Sequence, residues 1–574
     1  MFSPLLRAVA CSSLLALMLW ACGGVTPPNE LQLLPAAGFE TGSMNVASAD
    51  APLPRPAAQP CVVDLYADKE FRDFSSSSFK YNPVCPGPWA KVILQADFAV
   101  NAGRQFDRTG HISLGGVNLY TGTTQEPSAA NAASWRIERD VTDYSRLFAQ
   151  SQEGAVDLDN LVNETYTGVL RGSARLLFYP HEGDSIAPRS ADMVIALTDR
   201  KDGRPLQLKQ GAPEYKHTLQ LPRNNLRAYL DVIAQGQADD EFWYACAPDD
   251  LAETLQTCPG GGLRQVQVLL DDKPVGLAPI MPWMFTGGIS PRLWRPIPGI
   301  HALNFQPFRL DLSPLVGILN DGRPHTLALR VQNVRHYFNL SANLLLYRDA
   351  QSESIPGRLL ENTLSAPQQQ LRKQAQGDTL SELQVSSDNS YVLRGEIHTA
   401  RGRELLEVEQ KMRFSNLQKY AGALQVFDQG STLETSSRVS TAYASSRLQR
   451  SYSMPLWLSH RDENGLLDIR MKLGLHAVNR LSWQDNLSWG SQTTHELETT
   501  VARTVPGASL SSKAWHRLEQ RDTRGACFAR LVNAQDAKLQ SAQDESACRQ
   551  PVQDKPWGIQ PLEWGDLWLA LINQ

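Results

Sequence analysis

The chain of 574 residues has no excess of basic side chains: 55 Lys and Arg stand against 60 Asp and Glu, for a net charge of −5. That balance excludes a broad cationic surface for nucleic acid. Beyond the N-terminal segment no apolar run is long enough to cross a bilayer as a helix. No Cys-x-x-Cys pair occurs, and the cysteine spacings match no zinc site. There is no nucleophile elbow, phosphate loop, zincin helix or EF-hand loop, and no solenoid-type repeat. What remains for chemistry is a set of carboxylates on strands and loops, with aromatics beside them.

The N-terminus reads as an export signal. Arg7 supplies a positive start, an apolar run follows from Ala8 to Ala21, and Leu19-Trp20-Ala21-Cys22-Gly23 resembles a bacterial lipobox. The expectation is a signal peptide over 1–21, acylation at Cys22, and a lipid-anchored protein of the Gram-negative outer membrane. Gly23 rather than an aspartate after the cysteine favours that membrane. Residues 22–60, rich in Pro, Ala, Gly and Ser, read as a flexible tether.

Of the eight cysteines, Cys11 and Cys22 belong to this segment. Six remain, as sequence-near pairs: Cys61 with Cys85, Cys246 with Cys258, and Cys527 with Cys548. An even count in an exported chain favours disulfides, and neighbour pairing is the simplest of the connectivities left open.

Short alternating segments, such as Trp89–Phe98, Ala174–Tyr179, Arg227–Ile233 and Thr326–Val331, are separated by turn clusters, with few helical runs. They predict an all-β protein of antiparallel sandwiches or jelly rolls. The expected blocks are 61–202 (including Met193–Leu197), 203–349 and 350–574. The last is a further β-rich domain with a linker-like opening from Arg348 to Gln376.

Four places offer chemistry. Asp107 lies between Phe106 and Arg108, and a carboxylate beside a guanidinium stays ionised and can activate water. Asp239-Asp240-Glu241 precedes Phe242-Trp243-Tyr244 and Cys246; crowded acids raise at least one pKa, and aromatics suit sugar faces. Phe285-Thr286-Gly287-Gly288 leads to Arg292, Trp294 and Arg295, able to line a polar cleft. His181 and Glu182 follow a strand, where His181 suggests a general base. Each also has a structural reading: a surface ion pair, an acidic turn, a proline-capped loop, an exposed histidine.

In order along the chain, Pro88–Val92, Gly103–Arg108, Leu114–Val117, Thr124-Gln125-Glu126-Pro127 and Trp135–Tyr144 resemble the first domain of the peptide:N-glycanase A family. Glu241–Tyr244, Phe285–Ile289 and Trp294–Pro296 resemble its second. The series covers about residues 80–350. A more distant likeness is to the peptide:N-glycosidase F type, built of two adjacent jelly rolls. The resemblance implies a cofactor- and metal-free amidase. It would hydrolyse the bond between an asparagine side chain and the innermost N-acetylglucosamine of N-glycoproteins or glycopeptides. It implies Asp107 as water activator, Glu241 to orient the sugar amide or the water, and Arg108, with Arg292, for the developing oxyanion. Trp243 and Trp294 would stack on sugar, and Asp240, His181 and Glu182 would contact substrate, the last two standing where the family pattern departs. The rivals are an endo-N-acetylglucosaminidase, which also pairs two acids, and a glycan-binding lipoprotein without catalysis.

Overall fold

A computed structural model describes residues 39–545, except for 183–186, 201, 377–378, 422–425, 442–443, 462–465, 484–487, 503–509 and 523–526. The signal segment, Cys22 and Cys548 lie outside the described residues.

Eight strands build the first sandwich: β1 (Cys61–Phe71), β2 (Ser77–Tyr81), β3 (Trp89–Val100), β4 (Thr109–Leu114), β5 (Val117–Thr123), β6 (Ala133–Asp140), β7 (Gln152–Leu158) and β8 (Leu170–Pro180). They form two antiparallel sheets in the orders β1-β8-β3-β6 and β2-β7-β4-β5, the interleaving of a jelly roll. In β6 buried and open positions alternate, and Ala133, Trp135, Ile137 and Arg139 all face inward. Strands β4 and β5 are buried on both faces. Their outer surface is covered by the second sandwich.

That second sandwich repeats the order. Its strands are β9 (Met193–Ala196), β10 (Leu206–Lys209), β11 (Glu214–Leu219), β12 (Asn225–Gln237), β13 (Gln265–Leu270), β14 (Lys273–Pro279), β15 (Phe308–Asp311), β16 (His325–Val331) and β17 (Tyr337–Arg348). The sheets run β10-β17-β12-β15 and β11-β16-β13-β14. Both β9 and β10 pair with β17, β9 with Asn343–Leu346 and β10 with Tyr337–Leu340. Met193–Ala196 thus joins the second sandwich, not the first block as expected. Its apolar alternation suits either sheet.

The remaining strands form one eleven-stranded antiparallel sheet from β18 (Gly357–Asn362) to β28 (Lys538–Glu545). Its strands reach 21 residues in β20 (Thr379–Thr399). The stretch expected as a linker supplies β18 and β19 (Gln370–Gln376), both paired to β20. They are polar because they lie at a solvated sheet edge. Val385, Leu393, Val408, Met412 and Phe414 of this sheet share one continuous apolar core with Val268, Leu277, Leu312 and Leu315 of the second sandwich.

Residues 39–60 are no free tether. They run extended past both sandwiches and the large sheet: the Val46 N–H donates to Ser134 O at 2.9 Å, Ala47 N–H to Pro296 O at 3.0 Å, and Gly42 N–H to Leu539 O at 2.8 Å. Ala47 and Ala49 are fully buried. Small side chains let this strap lie close to its neighbours. The disulfides Cys61–Cys85 and Cys246–Cys258 are formed.

The two sandwiches are pinned by buried charge. Arg309 forks onto Asp231, with Nε to Oδ1 at 2.6 Å and Nη2 to Oδ2 at 2.7 Å, and pairs with Asp143 as well. From the first sandwich, the Tyr144 hydroxyl donates to Asp231 at 2.6 Å; Tyr347 donates to Asp143 at 2.8 Å. Replacing Arg309 by Met removes the ion-pair partner of two buried carboxylates, at a cost of about 3–5 kcal/mol. Denaturant unfolding should show that loss, and a smaller one for Arg309→Lys, which keeps the charge but not the fork; an unchanged midpoint for R309M would contradict this account.

Candidate functional site

Jelly-roll order sends four connections to one end of each sandwich. In the first these are β1–β2, β3–β4, β5–β6 and β7–β8. Asp107 lies in β3–β4 and Glu126 in β5–β6. In the second sandwich the counterparts are β12–β13, which holds Glu241, and β14–β15, which holds Gly287 and Arg295. The site is therefore assembled from equivalent connections of two similar folds.

Three carboxyls converge there. The Asp107 N–H donates to Glu126 Oε1 at 3.0 Å. Gly287 wedges between them: a Cβ on it would stand 2.4 Å from Asp107 Oδ1 and 2.5 Å from Glu126 Oε1. Only glycine permits this approach, and its N–H is a donor to the Asp107 carboxyl. Arg295 Nη2 lies 3.2 Å from Glu126 Oε2, and its Nε donates to Glu126 O at 3.0 Å.

The electrostatics follow from burial and like charge. Glu241 is pushed up to about 8, first by burial and then by the charges of Asp107 and Glu126. Glu126 rises to about 7, again by burial and then by Asp107. Asp107 is raised by burial, while the Gly287 N–H, its own N–H and Arg108 hold it down. Arg108 Nη2 donates to Gln105 Oε1 at 2.9 Å, which fixes the guanidinium beside the acid.

The sequence missed Glu126 as a site residue. It belongs to the quoted Thr124-Gln125-Glu126-Pro127, but its partners lie far away along the chain. Glu241 is raised as expected for one of three neighbouring acids, though from a different cause. Asp239 is exposed and faces His336 at 3.6 Å. Asp240 is fully buried: it receives Arg264 Nη2 at 3.1 Å and the N–H groups of Arg335 and His336 at 2.9 and 2.7 Å. It is a structural clasp rather than a substrate contact.

The two tryptophans expected to stack on sugar are withdrawn. Trp294 has no exposed surface, and its Nε1–H donates to Gly288 O at 2.8 Å. Trp243 is buried with its ring 5.9 Å from that of Phe414. Arg292 is exposed and donates to Leu510 O at 3.2 Å; the arginine that this loop brings to the cluster is Arg295, paired with Glu126. His181 and Glu182 follow β8 at the end of the sandwich opposite Asp107, since Pro180 pairs with Trp89 at the start of β3. Strand β3 has twelve residues and separates the two ends by roughly 35 Å.

The eleven-stranded sheet braces the loops from behind. Asn416 Nδ2 donates to Tyr244 O at 2.6 Å and Gln418 Nε2 to Cys246 O at 3.2 Å, just after Glu241. The Thr499 hydroxyl donates to Leu293 O at 2.8 Å, just before Arg295.

Residues 68–364 match the family described as peptide N-acetyl-beta-D-glucosaminyl asparaginase amidase A. This is just over half the chain, and it contains all three carboxyls of the cluster together with Gly287 and Arg295. The chain belongs to that family. A curated relative, peptide-N4-(N-acetyl-beta-glucosaminyl)asparagine amidase A of Prunus dulcis, is 32% identical over 297 residues, covering 49% of this chain and 52% of the relative. The chain thus spans about half the length of the curated relative it matches. Solved structures resemble it slightly. A peptide-N(4)-(N-acetyl-beta-D-glucosaminyl) asparagine amidase has 12% identity and a TM-score of 0.35, covering 50% of this chain and 96% of its own. PNGase F of Flavobacterium meningosepticum has 12% identity and a TM-score of 0.34 over the same shares.

The raised carboxyls carry a stability consequence of definite sign. Below the ordinary glutamate value of 4.5, Glu241 holds its proton folded and unfolded alike, and no penalty arises. As pH climbs from there to about 8, the unfolded chain releases the proton first and the fold loses stability. Glu241→Gln is therefore expected to unfold later than the parent at about pH 9, by on the order of a few kcal/mol. Near pH 4 the two should unfold together. Thermal melts across that range check it.

Proposed function

We propose that the chain is a peptide-N-glycanase. It hydrolyses the amide between an asparagine side chain and the innermost N-acetylglucosamine of N-glycopeptides or N-glycoproteins, leaving aspartate and releasing a glycosylamine. The observation that carries this is the three-carboxyl cluster of Asp107, Glu126 and Glu241 inside the family-matching segment. The almond relative's name states the same reaction.

The environments separate the roles. Asp107 accepts the Gly287 N–H and adjoins Arg108, both of which favour its charged form. It is the group to activate water against the amide carbonyl. Glu241, held protonated at neutral pH, can donate a hydrogen bond to the developing oxyanion or a proton to the departing nitrogen. Glu126, gripped by Arg295, positions Asp107 through its N–H. The donors stand in place before substrate arrives, so little reorganisation opposes the reaction.

Sugar stacking passes to aromatics that are open to solvent. Phe106 is 45% exposed and Phe74 50% exposed. Tyr166 lies 5.3 Å from Phe106, Arg104 lies over Tyr166 at 5.4 Å, and Arg108 lies near both Phe74 and Phe106. This ridge borders Asp107 on three of the connections that meet at this end. An anchor through Cys22 would hold the enzyme at the outer membrane, where glycoprotein fragments reach it; the lipobox-like run at Leu19–Gly23 supports that placement.

Digestion of a defined N-glycopeptide in heavy-oxygen water tests the reaction. An amidase leaves aspartate carrying one heavy oxygen; a glycosidase leaves one sugar on asparagine; a binding protein leaves the peptide intact. Asp107→Asn, folded, should lose at least about 100-fold in kcat/KM, and full activity would refute its role. Phe106→Ala should raise KM by about tenfold with kcat little changed, in line with losing ~1–3 kcal/mol of uniform stacking.

A further inference from the structure

A second cluster lies outside the carboxyl site. β25 (Ser488–Ala502) and β26 (Ser511–Asp522) are neighbours in the large sheet, with His495 opposite Leu518 and Leu497 opposite His516. His495 and His516 therefore lie diagonally on one face, and both are buried. Their facing nitrogens, His495 Nδ1 and His516 Nε2, are 3.2 Å apart. Onto this pair the N-terminal strap lays Asp50, whose Oδ1 is 3.8 Å from His495 Nδ1. One donor atom from each of the three residues falls within 4.8 Å of the others. His301, from the β14–β15 connection, packs edge-on against His495 with ring centres 5.3 Å apart.

We propose that Asp50, His495 and His516 bind one divalent transition-metal cation, which fastens the N-terminal strap to the C-terminal sheet. Two imidazoles and a carboxylate suit zinc. With zinc–nitrogen bonds near 2.0–2.1 Å in a tetrahedral site, two nitrogen donors stand about 3.3 Å apart, close to the observed 3.2 Å. The Asp50 side chain is half exposed, which leaves a route in and a place for a water ligand. The strap is already held at this point, because Arg530 Nη1 donates to Asp50 O at 3.3 Å while its Nη2 grips Asp544 at 2.9 Å.

Metal binding rearranges one proton. The Ala49 N–H donates to His516 Nδ1 at 3.3 Å, so in the ion-free site the ring proton sits on Nε2 and points at His495. A bound cation takes Nε2, the proton moves to Nδ1, and the Ala49 amide must turn from it. That long hydrogen bond is exchanged for metal–nitrogen bonds. Amide exchange at Ala49 should therefore change on loading, although the ligand count does not include it.

The test reads metal, not glycan release, so it stands apart from the proposed reaction. The full-length chain is stripped with chelator, reloaded with Zn2+, desalted and assayed for bound metal. About one zinc per chain is expected. His495→Gln with His516→Gln should fall to background, and Asp50→Asn should bind at least about tenfold more weakly. Should the double variant fail to fold, Co2+ bound to the unaltered chain decides the question: a tetrahedral nitrogen–oxygen site gives visible absorption bands. Stripped and reloaded parent protein that is folded, yet holds no zinc and shows no cobalt bands, overturns the proposal and leaves a hydrogen-bonded histidine pair.

Discussion

The site exists only while two jelly rolls stay docked side by side, and Arg309 is the charged centre of the contacts that fix them. Its fork on Asp231 and its contact with Asp143 put one cation between acids from both sandwiches, with Tyr144 and Tyr347 completing the network. An apolar interface could slide; charges and hydroxyls with directional bonds have one satisfactory register. Register matters because Asp107 and Glu126 come from one body and Glu241, Gly287 and Arg295 from the other. A small displacement would unseat Gly287 from between the two carboxyls, where there is room for a hydrogen and nothing larger.

Much of the architecture was legible because strands announce themselves by alternation, and the turn clusters between them set their length. The ordered motifs led to two jelly rolls and to Asp107, Arg108 and Glu241. Other readings failed for reasons of context. A tryptophan beside an acid looks the same in sequence whether it lines a cleft or fills a core; Trp243 and Trp294 fill cores. Asp240 and Glu241 are adjacent, yet the backbone turn sends one into Arg264 and the other to the site. Glu126 carries no local sign of its role: Asp107, whose charge adds to burial in raising its pKa, lies 19 positions away, and Glu241, which Glu126 helps to raise, lies 115 positions away (107, 126 and 241). Residues 39–60 read as a tether from their Pro, Ala and Ser content, but small residues also suit a strap that must lie flat against both sandwiches and the large sheet.

The large sheet has a clear mechanical place in this arrangement. It touches the second sandwich through a shared apolar core and reaches forward with Asn416, Gln418 and Thr499 to the loops that carry Glu241 and Arg295. The first sandwich's loops are held differently, by Thr124 and Gln125 bonded across to Thr286 and Trp294. Loops alone would let mutually repelling carboxyls spread and regain water. Bracing from both sides keeps them dry and close, and that confinement is what raises Glu126 and Glu241.

Equivalent positions in the two jelly rolls then acquire unequal chemistry. Asp107 and Glu241 both follow the third strand of their sandwich's interleaved order, in matching connections. Asp107 faces an N–H and a guanidinium, which stabilise its charge; Glu241 faces mainly other carboxyls, which oppose it. A pair of like acids in like surroundings would titrate alike and could not divide the work of base and acid. Here the repeat brings two acids together and its departures from symmetry, Gly287 on one side and the bracing sheet on the other, set their proton affinities apart. The proposed reaction, which takes a proton from water and returns one to a departing nitrogen, would draw on that difference, and the fold supplies it without any group that is itself unusual.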